Sequence, residues 1–171
     1  MSLGPGSGKG ASTWKVPGDV VEAGVLACAL LATGGAGQVA GIDARELYGF
    51  ASVVGDAGLY AEPDGDRLHV RTVTRYRDRP WAGIRAHTGT GRRALWSELE
   101  PAIMALALKT PGSHKIQDQI GAARHSVAVT QLEELGARVN RFNAAQVSFT
   151  GPQKLRAARV GAAAPTPGRA C

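Results

Sequence analysis

Apolar residues recur at helical spacing in two segments near the start of the chain. Between residues 20 and 32 the spacing is close to 3.6, and Asp19 stands where it can cap the first turn. A Thr-Gly-Gly sequence follows and predicts the end of this helix. A second helix is expected from Asp43, with Glu46 three residues later as its capping partner. The pattern therefore predicts a pair of short amphipathic helices.

The pattern changes to strict alternation between residues 67 and 77, where RLHVRTVTRYR places arginines on one face. This period of two predicts a β-strand with a basic face, which either is a solvated edge or contacts a neighbour. The preceding residues 55–65 are expected to form a loop with a Pro-Asp-Gly turn at 63–65. Residues 78–93 are expected to be irregular.

A third helix is expected in the segment SELEPAIMALALKT. Ser97 can cap it with Glu100 in an S-x-x-E box, or Pro101 can itself be the first helical residue. Residues 102–108 have no polar side, so this helix must be covered all round. After a Pro-Gly break, apolar spacing predicts a long fourth helix over residues 116–145.

These elements predict a mainly α fold, a four-helix bundle with a small β element between helices 2 and 3 and disordered-type basic termini. The expected organisation is a flexible N-terminal arm at 1–15, a helical-bundle core at 16–151 and a basic Ala/Pro/Gly-rich C-terminal tail at 152–171. The formal net charge is +6, and no acid lies in residues 1–18 or 152–171. Such ends either attract a polyanion or only keep the chain soluble. No internal repeat is visible, and neither a signal peptide nor a membrane-spanning run is expected.

Several motifs that carry chemistry are incomplete. The Gly-rich start GPGSGKG lacks the first Gly and the final Ser or Thr of a phosphate-binding loop. No serine occupies a G-x-S-x-G elbow, and Cys28 lies in an apolar helical run typical of an inert core thiol. Glu98 and Glu100 form a carboxylate pair, but the sequence gives them no catalytic partner. We therefore expect no enzyme, no cofactor, no metal site, no membrane association and no small-molecule substrate.

The order of elements resembles the coat proteins of rod-shaped plant viruses, of the tobamovirus and benyvirus kind. Residues 99–110, LEPAIMALALKT, are similar to the opening of the third helix in tobamovirus coats. Residues 13–15 and the segment 126–141, SVAVTQLEELGARVNR, are similar to benyvirus coats. The resemblance implies a four-helix bundle, and a structural capsid protein that polymerises with its own copies in a helical polymer around single-stranded RNA, in a virion or the host cytoplasm.

The resemblance also implies roles for individual residues. The RNA-binding positions would be Lys109, His114, Lys115, Gln117, Arg124 and His125, which would contact phosphates without reading sequence. The acid before the proline, Glu100, would face Glu46 or Asp56 of a neighbouring subunit and form a repulsive, pH-sensitive pair. Two alternatives remain open. One is a small helical RNA-binding or adaptor subunit of a ribonucleoprotein complex, and the other is an accessory protein that binds no nucleic acid.

Overall fold

The computed structural model describes residues 16–72, 83–89 and 94–161. These residues form four α-helices and seven strands in two sheets. In chain order the elements are α1 (Val20–Ala32), β1 (Ala36–Ala40), a 3-10 turn (Ala44–Leu47) that continues into α2 (Tyr48–Asp56), β2 (Tyr60–Asp64), β3 (Arg67–Arg71), β4 (Arg85–His87), a 3-10 turn (Ser97–Leu99) that continues into α3 (Glu100–Ala107), β5 (Gly112–Gln117), α4 (Ala122–Glu134), β6 (Asn140–Asn143) and β7 (Gln146–Gly151).

The first helix forms as its sequence predicts. The side chain of Asp19 accepts hydrogen bonds from the N–H groups of Val21, at 2.7 Å, and Glu22, which satisfies two free donors of the first turn. The buried side of α1 packs against α3. Gly24 makes this contact close, because a Cβ atom there would lie 2.5 Å from a methyl carbon of Leu99.

The first sheet has the strand order β1-β3-β2, and both pairs are antiparallel. The expected strand from residue 67 is confirmed as far as Arg71, and residues 73–77 lie outside the described part of the chain. The expected loop at 55–65 is wrong, because residues 60–64 form β2 and pair with β3. A two-residue turn joins these strands, with Gly65 at φ +57°, a conformation that favours glycine.

The second sheet has the order β4-β5-β7-β6, with β4 parallel to β5 and the other pairs antiparallel. Its strands take residues 116–117 and 140–143 of the segment predicted as a long helix over 116–145. In β5, His114 and Ile116 are buried while Ser113 and Lys115 are exposed, which is the alternation of a strand. Only residues 122–134 of that segment are helical. The expected irregularity at 78–93 is also wrong at 85–87, which form β4.

The two sheets belong to two units with the same topology. Unit A, residues 20–71, runs helix, strand, helix, strand, strand, and its last strand lies in the middle of the sheet. Unit B, residues 97–151, repeats this order, and its last strand β7 again lies between β5 and β6. Asp43 and Asp118 hold corresponding places, since each follows the first strand of its unit and accepts a backbone N–H two residues later. The sequence shows no sign of this repeat.

The fold is therefore α/β, and the predicted mainly α four-helix bundle is wrong. The arm at 1–15 lies outside the described residues, as do residues 162–171. The first part of the predicted tail is held against the body of the protein by backbone hydrogen bonds from Gln153 to Leu108 and from Arg156 to Leu135. Among the described residues, no helix combines the length and apolar character that crossing a membrane requires.

Candidate ligand-binding groove

A buried carboxylate organises the polar centre of unit B. Asp118 follows β5 and is fully buried. Its Oδ1 accepts hydrogen bonds from the hydroxyl of Thr88 at 2.5 Å and from the backbone N–H groups of Ile120 and Gly121 at 2.9 and 2.7 Å. Burial by itself would raise the pKa of Asp118, but the hydrogen bonds from Thr88, Gly121, Ile120 and Ser97 hold it below its ordinary value.

The expected capping role of Ser97 is replaced by a bond within this centre. The Ser97 hydroxyl donates to Asp118 at 3.0 Å and accepts from the guanidinium of Arg124. That guanidinium also lies 3.8 Å from carboxylate oxygens of Asp118 and of Glu98. Arg124, a predicted RNA ligand, is therefore held by groups of its own unit.

A groove of about 610 Å³ opens directly above this centre. The starts of three helical segments form its walls. Their lining residues are Arg45, Glu46, Tyr48 and Gly49 at the start of α2, Ala94, Leu95, Trp96, Ser97 and Glu98 at the start of α3, Ile120 just before α4, and Gly89 after β4. The volume lies in the range of small-molecule sites in proteins. Both units contribute to the groove, so its shape depends on how they pack.

Trp96 connects the two units across this groove. Its indole N–H donates to the backbone oxygen of Glu46 at 3.0 Å, and 43% of Trp96 remains exposed. Tyr48 is also about half exposed on the wall that unit A provides. The exposed carboxylates of Glu46 and Glu98 stand on the same lining. The groove thus offers aromatic faces together with acceptors for hydroxyl or N–H groups.

A second buried pair lies behind the groove, between α3 and α4. His125 Nδ1 donates to Oε1 of Glu100 at 2.6 Å, and the two residues are 1% and 0% exposed. The other Glu100 oxygen and His125 Nε2 have no partner among the described residues. Glu100 therefore cannot face a carboxylate of another subunit, and His125 cannot reach an RNA phosphate in this conformation. Such a pair stabilises the contact of the two helices only while both members are present.

His114 has a structural place at the opposite end of β5. Its Nδ1 accepts from the N–H of Ile84 and its Nε2 donates to the backbone oxygen of Thr110, both at 2.9 Å. Burial lowers the pKa of His114, and the bond to Thr110 offsets this in part. The neutral imidazole links β4 to the end of α3 and is not available to a nucleic acid.

The other predicted site residues are dispersed. Lys109 and Lys115 are exposed, and Gln117 is half-buried at the end of β5. Glu46 lies on the groove, while Asp56 is exposed at the far end of α2. The structure therefore brings together Arg124 with the Asp118 centre and Glu100 with His125, but it does not form one cationic row. No group of three or more His, Cys, Asp or Glu side chains suited to a metal ion occurs in the described ranges.

Sequence reasoning missed Thr88, Asp118, Trp96 and Glu98 as parts of one site. Asp118 carries the clearest signal, since an Asp shortly before a glycine at a strand end is typical of a turn in which the side chain accepts hydrogen bonds from the N–H groups of the following residues. That signal was hidden because the segment was predicted to be helical throughout.

Of the comparisons with known proteins, only the one with solved structures gives a match, and it bears on the fold. No family model matches the chain, and no curated protein matches it. Among solved structures, the enolpyruvyl transferase NikO from Streptomyces tendae matches with a TM-score of 0.55 and 17% identity. The match covers 80% of this chain and 31% of that one, so the chain spans about a third of the length of this neighbour.

This likeness corrects the predicted function. The described residues have the fold of part of an enzyme, so the prediction of a helical coat subunit is wrong. The prediction that the chain is not an enzyme is contradicted by the same likeness, since the fold is that of part of an enzyme. The predicted classification as a capsid, virion and structural RNA-binding protein is wrong together with the coat function. Binding of single-stranded RNA, assembly with copies of itself and the cellular location stay predictions that no comparison tests.

Proposed function

We propose that the chain is an acceptor-binding domain of the enolpyruvyl-transferase type, which binds a small hydroxylated ring compound in the groove above Asp118. The observation that carries this proposal is the placement of Trp96, Tyr48, Glu46 and Glu98 on one groove. Aromatic faces pack against the flat or apolar faces of rings, and carboxylates accept hydrogen bonds from ring hydroxyl groups.

The lining also argues against a highly charged anion as the main occupant. Two exposed carboxylates, Glu46 and Glu98, stand on the groove, whereas Arg45 is already paired with Asp43 at 2.6 Å. Asp118 accepts hydrogen bonds from the N–H groups of Ile120 and Gly121 just before α4, so a buried negative charge already lies at the start of that helix. A neutral, hydroxyl-rich compound therefore fits this lining better than a phosphate does.

Glu98 has the chemistry that transfer to a hydroxyl needs. When an enolpyruvyl group moves from an enolpyruvyl phosphate donor to an acceptor, the acceptor oxygen forms a new bond to C2, the acceptor hydroxyl loses its proton, and the C2–O bond to phosphate breaks so that phosphate leaves. A carboxylate within hydrogen-bond reach of that hydroxyl can take the proton. Arg124 pairs with the Glu98 carboxylate at 3.8 Å. The fold likeness to an enolpyruvyl transferase, of whose length this chain spans about a third, supports this choice of reaction class.

Ligand-detected NMR with a panel of glucose, N-acetylglucosamine, uridine and adenosine tests the proposal. We expect at least one of them to receive saturation from the wild-type chain, and the signal to fall several-fold in Trp96→Ala and Glu98→Gln. Glu134→Gln is the matched control, because this exposed glutamate lies at the other end of α4. Equal signals in Glu98→Gln, Trp96→Ala and the control, or no binding by the wild type, would contradict the proposal.

A further inference from the structure

A second groove lies at the opposite end of the second sheet. The β5–β7 register runs from Gln117 opposite Gln146, beside Asp118, to Gly112 opposite Gly151. The second groove adjoins this latter end and measures about 550 Å³. We call it the basic groove, and its lining is Gly136, Arg138, Asn140, Phe149, Thr150, Pro152, Gln153 and Lys154. It shares no residue with the first groove.

A side-chain clamp holds the walls of the basic groove together. Gln153 Oε1 accepts from the N–H of Arg138 at 2.8 Å, and Gln153 Nε2 donates to the backbone oxygens of Arg138 and Thr150 at 3.1 and 2.8 Å. The N–H of Arg156 donates to the oxygen of Leu135 at 2.8 Å. The C-terminal segment is thereby fixed against the turn after α4, and the groove has a defined shape.

The charge of this lining has one sign. Arg138 and Lys154 are exposed, and the lining contains no acidic residue. Arg156 adds a third cation, because its side chain passes beside Gly136, where an added Cβ atom would lie 3.3 Å from Arg156 Cγ. Within the part of the chain that the structure describes, none of the three lies within 4 Å of a carboxylate. The nearby Glu133 is neutralised by its 2.6 Å pair with Arg141.

We propose that the basic groove binds a small molecule that carries two or more phosphate groups. Arg138 and Lys154 would contact the phosphate oxygens, and the exposed Asn140 amide and Thr150 hydroxyl would supply further donors. A guanidinium can contact two oxygens at once and an ammonium binds as a compact charge, so the pair suits adjacent phosphates. The volume leaves room for an organic group beside the partly apolar wall of Phe149 and Pro152. This inference does not depend on the function proposed for the first groove.

Calorimetric titration of the whole chain with pyrophosphate tests the proposal. Wild-type protein should bind it, and more tightly than it binds inorganic phosphate. The double variant Arg138→Gln/Lys154→Gln should bind roughly tenfold more weakly or worse, since bonds to charged groups are the strong ones. The matched control Arg85→Gln/Lys109→Gln removes two exposed cations elsewhere and should keep wild-type affinity.

A third variant separates a shaped site from simple charge attraction. Gln153→Ala leaves the net charge unchanged but removes the clamp, so pyrophosphate binding should weaken while circular dichroism confirms the fold. Equal losses in the two double variants would overturn the proposal, because they would indicate attraction by the net charge alone. Wild-type affinity in Gln153→Ala, or the same affinity for phosphate and pyrophosphate, would also overturn it.

Discussion

Replacement of Asp118 tests the central claim that this carboxylate organises unit B. Asp118→Ala would leave the hydroxyls of Thr88 and Ser97 and the N–H groups of Ile120 and Gly121 without their acceptor. Each hydrogen bond to a charged group contributes about 1.5–3 kcal/mol, but these four share one acceptor and are not additive. We therefore expect a loss of about 4 kcal/mol, near the upper end for single substitutions.

Asp118→Asn should cost much less. Oδ1 accepts the bonds from Thr88, Ile120 and Gly121, and an asparagine oxygen can occupy that place. The change removes the charge that faces Arg124 at 3.8 Å, and we expect a loss of about 1–2 kcal/mol. The ordering of wild type, Asn and Ala is the result that the geometry requires.

Unit A provides the matched control. Asp43 holds the corresponding position, but within the described ranges its carboxylate accepts only from the backbone and guanidinium of Arg45. Urea unfolding of the four variants Asp118→Ala, Asp118→Asn, Asp43→Ala and Asp43→Asn, followed by circular dichroism, gives the comparison. Equal destabilisation by Asp118→Ala and Asp43→Ala would refute the argument, since burial and donor number would then have no effect.

The lowered pKa of Asp118 adds a pH signature. Its carboxylate loses its proton more readily in the folded chain, so the unfolded state binds more protons near the ordinary value of 3.8. The contribution is complete above that pH and is lost as the pH falls through the folded-state pKa. Asp118→Asn should therefore reduce the acid sensitivity of unfolding, and an unchanged profile would contradict the assignment.

Three further substitutions have defined outcomes. Gly24→Ala should destabilise the chain by about 1–3 kcal/mol in urea unfolding, because the added Cβ would overlap buried Leu99. Gly55→Ala is the control, because Gly55 lies in α2 with open space around it. That change should be neutral or stabilising by up to about 1 kcal/mol. Burial lowers the pKa of His114 below 6.5, so unfolded chains take up the proton first and stability should fall as the pH drops from about 6.5. His114→Asn, which can still accept from Ile84, should lose that part of the pH dependence, and identical slopes for the two proteins would contradict it.

The sequence predicted the elements whose signals are local. Asp19 and Asp43 mark helix starts by side-chain bonds to residues two or three positions away, and both are confirmed as caps. The prediction of a long helix over 116–145 failed outside residues 122–134, and at its start Ile116 and Ile120 suggested a helical period. In the strand Ile116 is buried beside β7, whereas Ile120 is 65% exposed in the turn before α4. Four-residue spacing alone cannot separate these cases.

The site was beyond local reasoning because its partners are distant in sequence. Trp96 donates to Glu46, 50 residues earlier. His125 forms a hydrogen bond with Glu100, and strand β5 separates the two residues in the sequence. Glu100 was assigned to a contact between subunits because the resemblance to tobamovirus coats implied it. Its partner His125 lies on α4 and comes into contact with Glu100 only in the folded chain, where α4 packs against α3. The hairpin of β6 and β7 was missed because its Ala-Ala turn lacks the glycine or asparagine that normally indicates one.

The central position of the last strand in each unit has a consequence for the order of folding. Among the described residues, β1 and β2 of unit A pair only with β3, and β6 of unit B pairs only with β7. A growing chain that has not reached residue 67 therefore contains no sheet partner for either earlier strand of unit A. In unit B, β6 waits in the same way for residues 146–151, although β5 can already pair with β4. The helices form from local contacts, but the first sheet and the β5–β7–β6 part of the second form only in a late step. Fragments that stop just before β3 or β7 should thus expose unpaired strand edges and aggregate, while fragments that end just after them should be the shortest soluble ones.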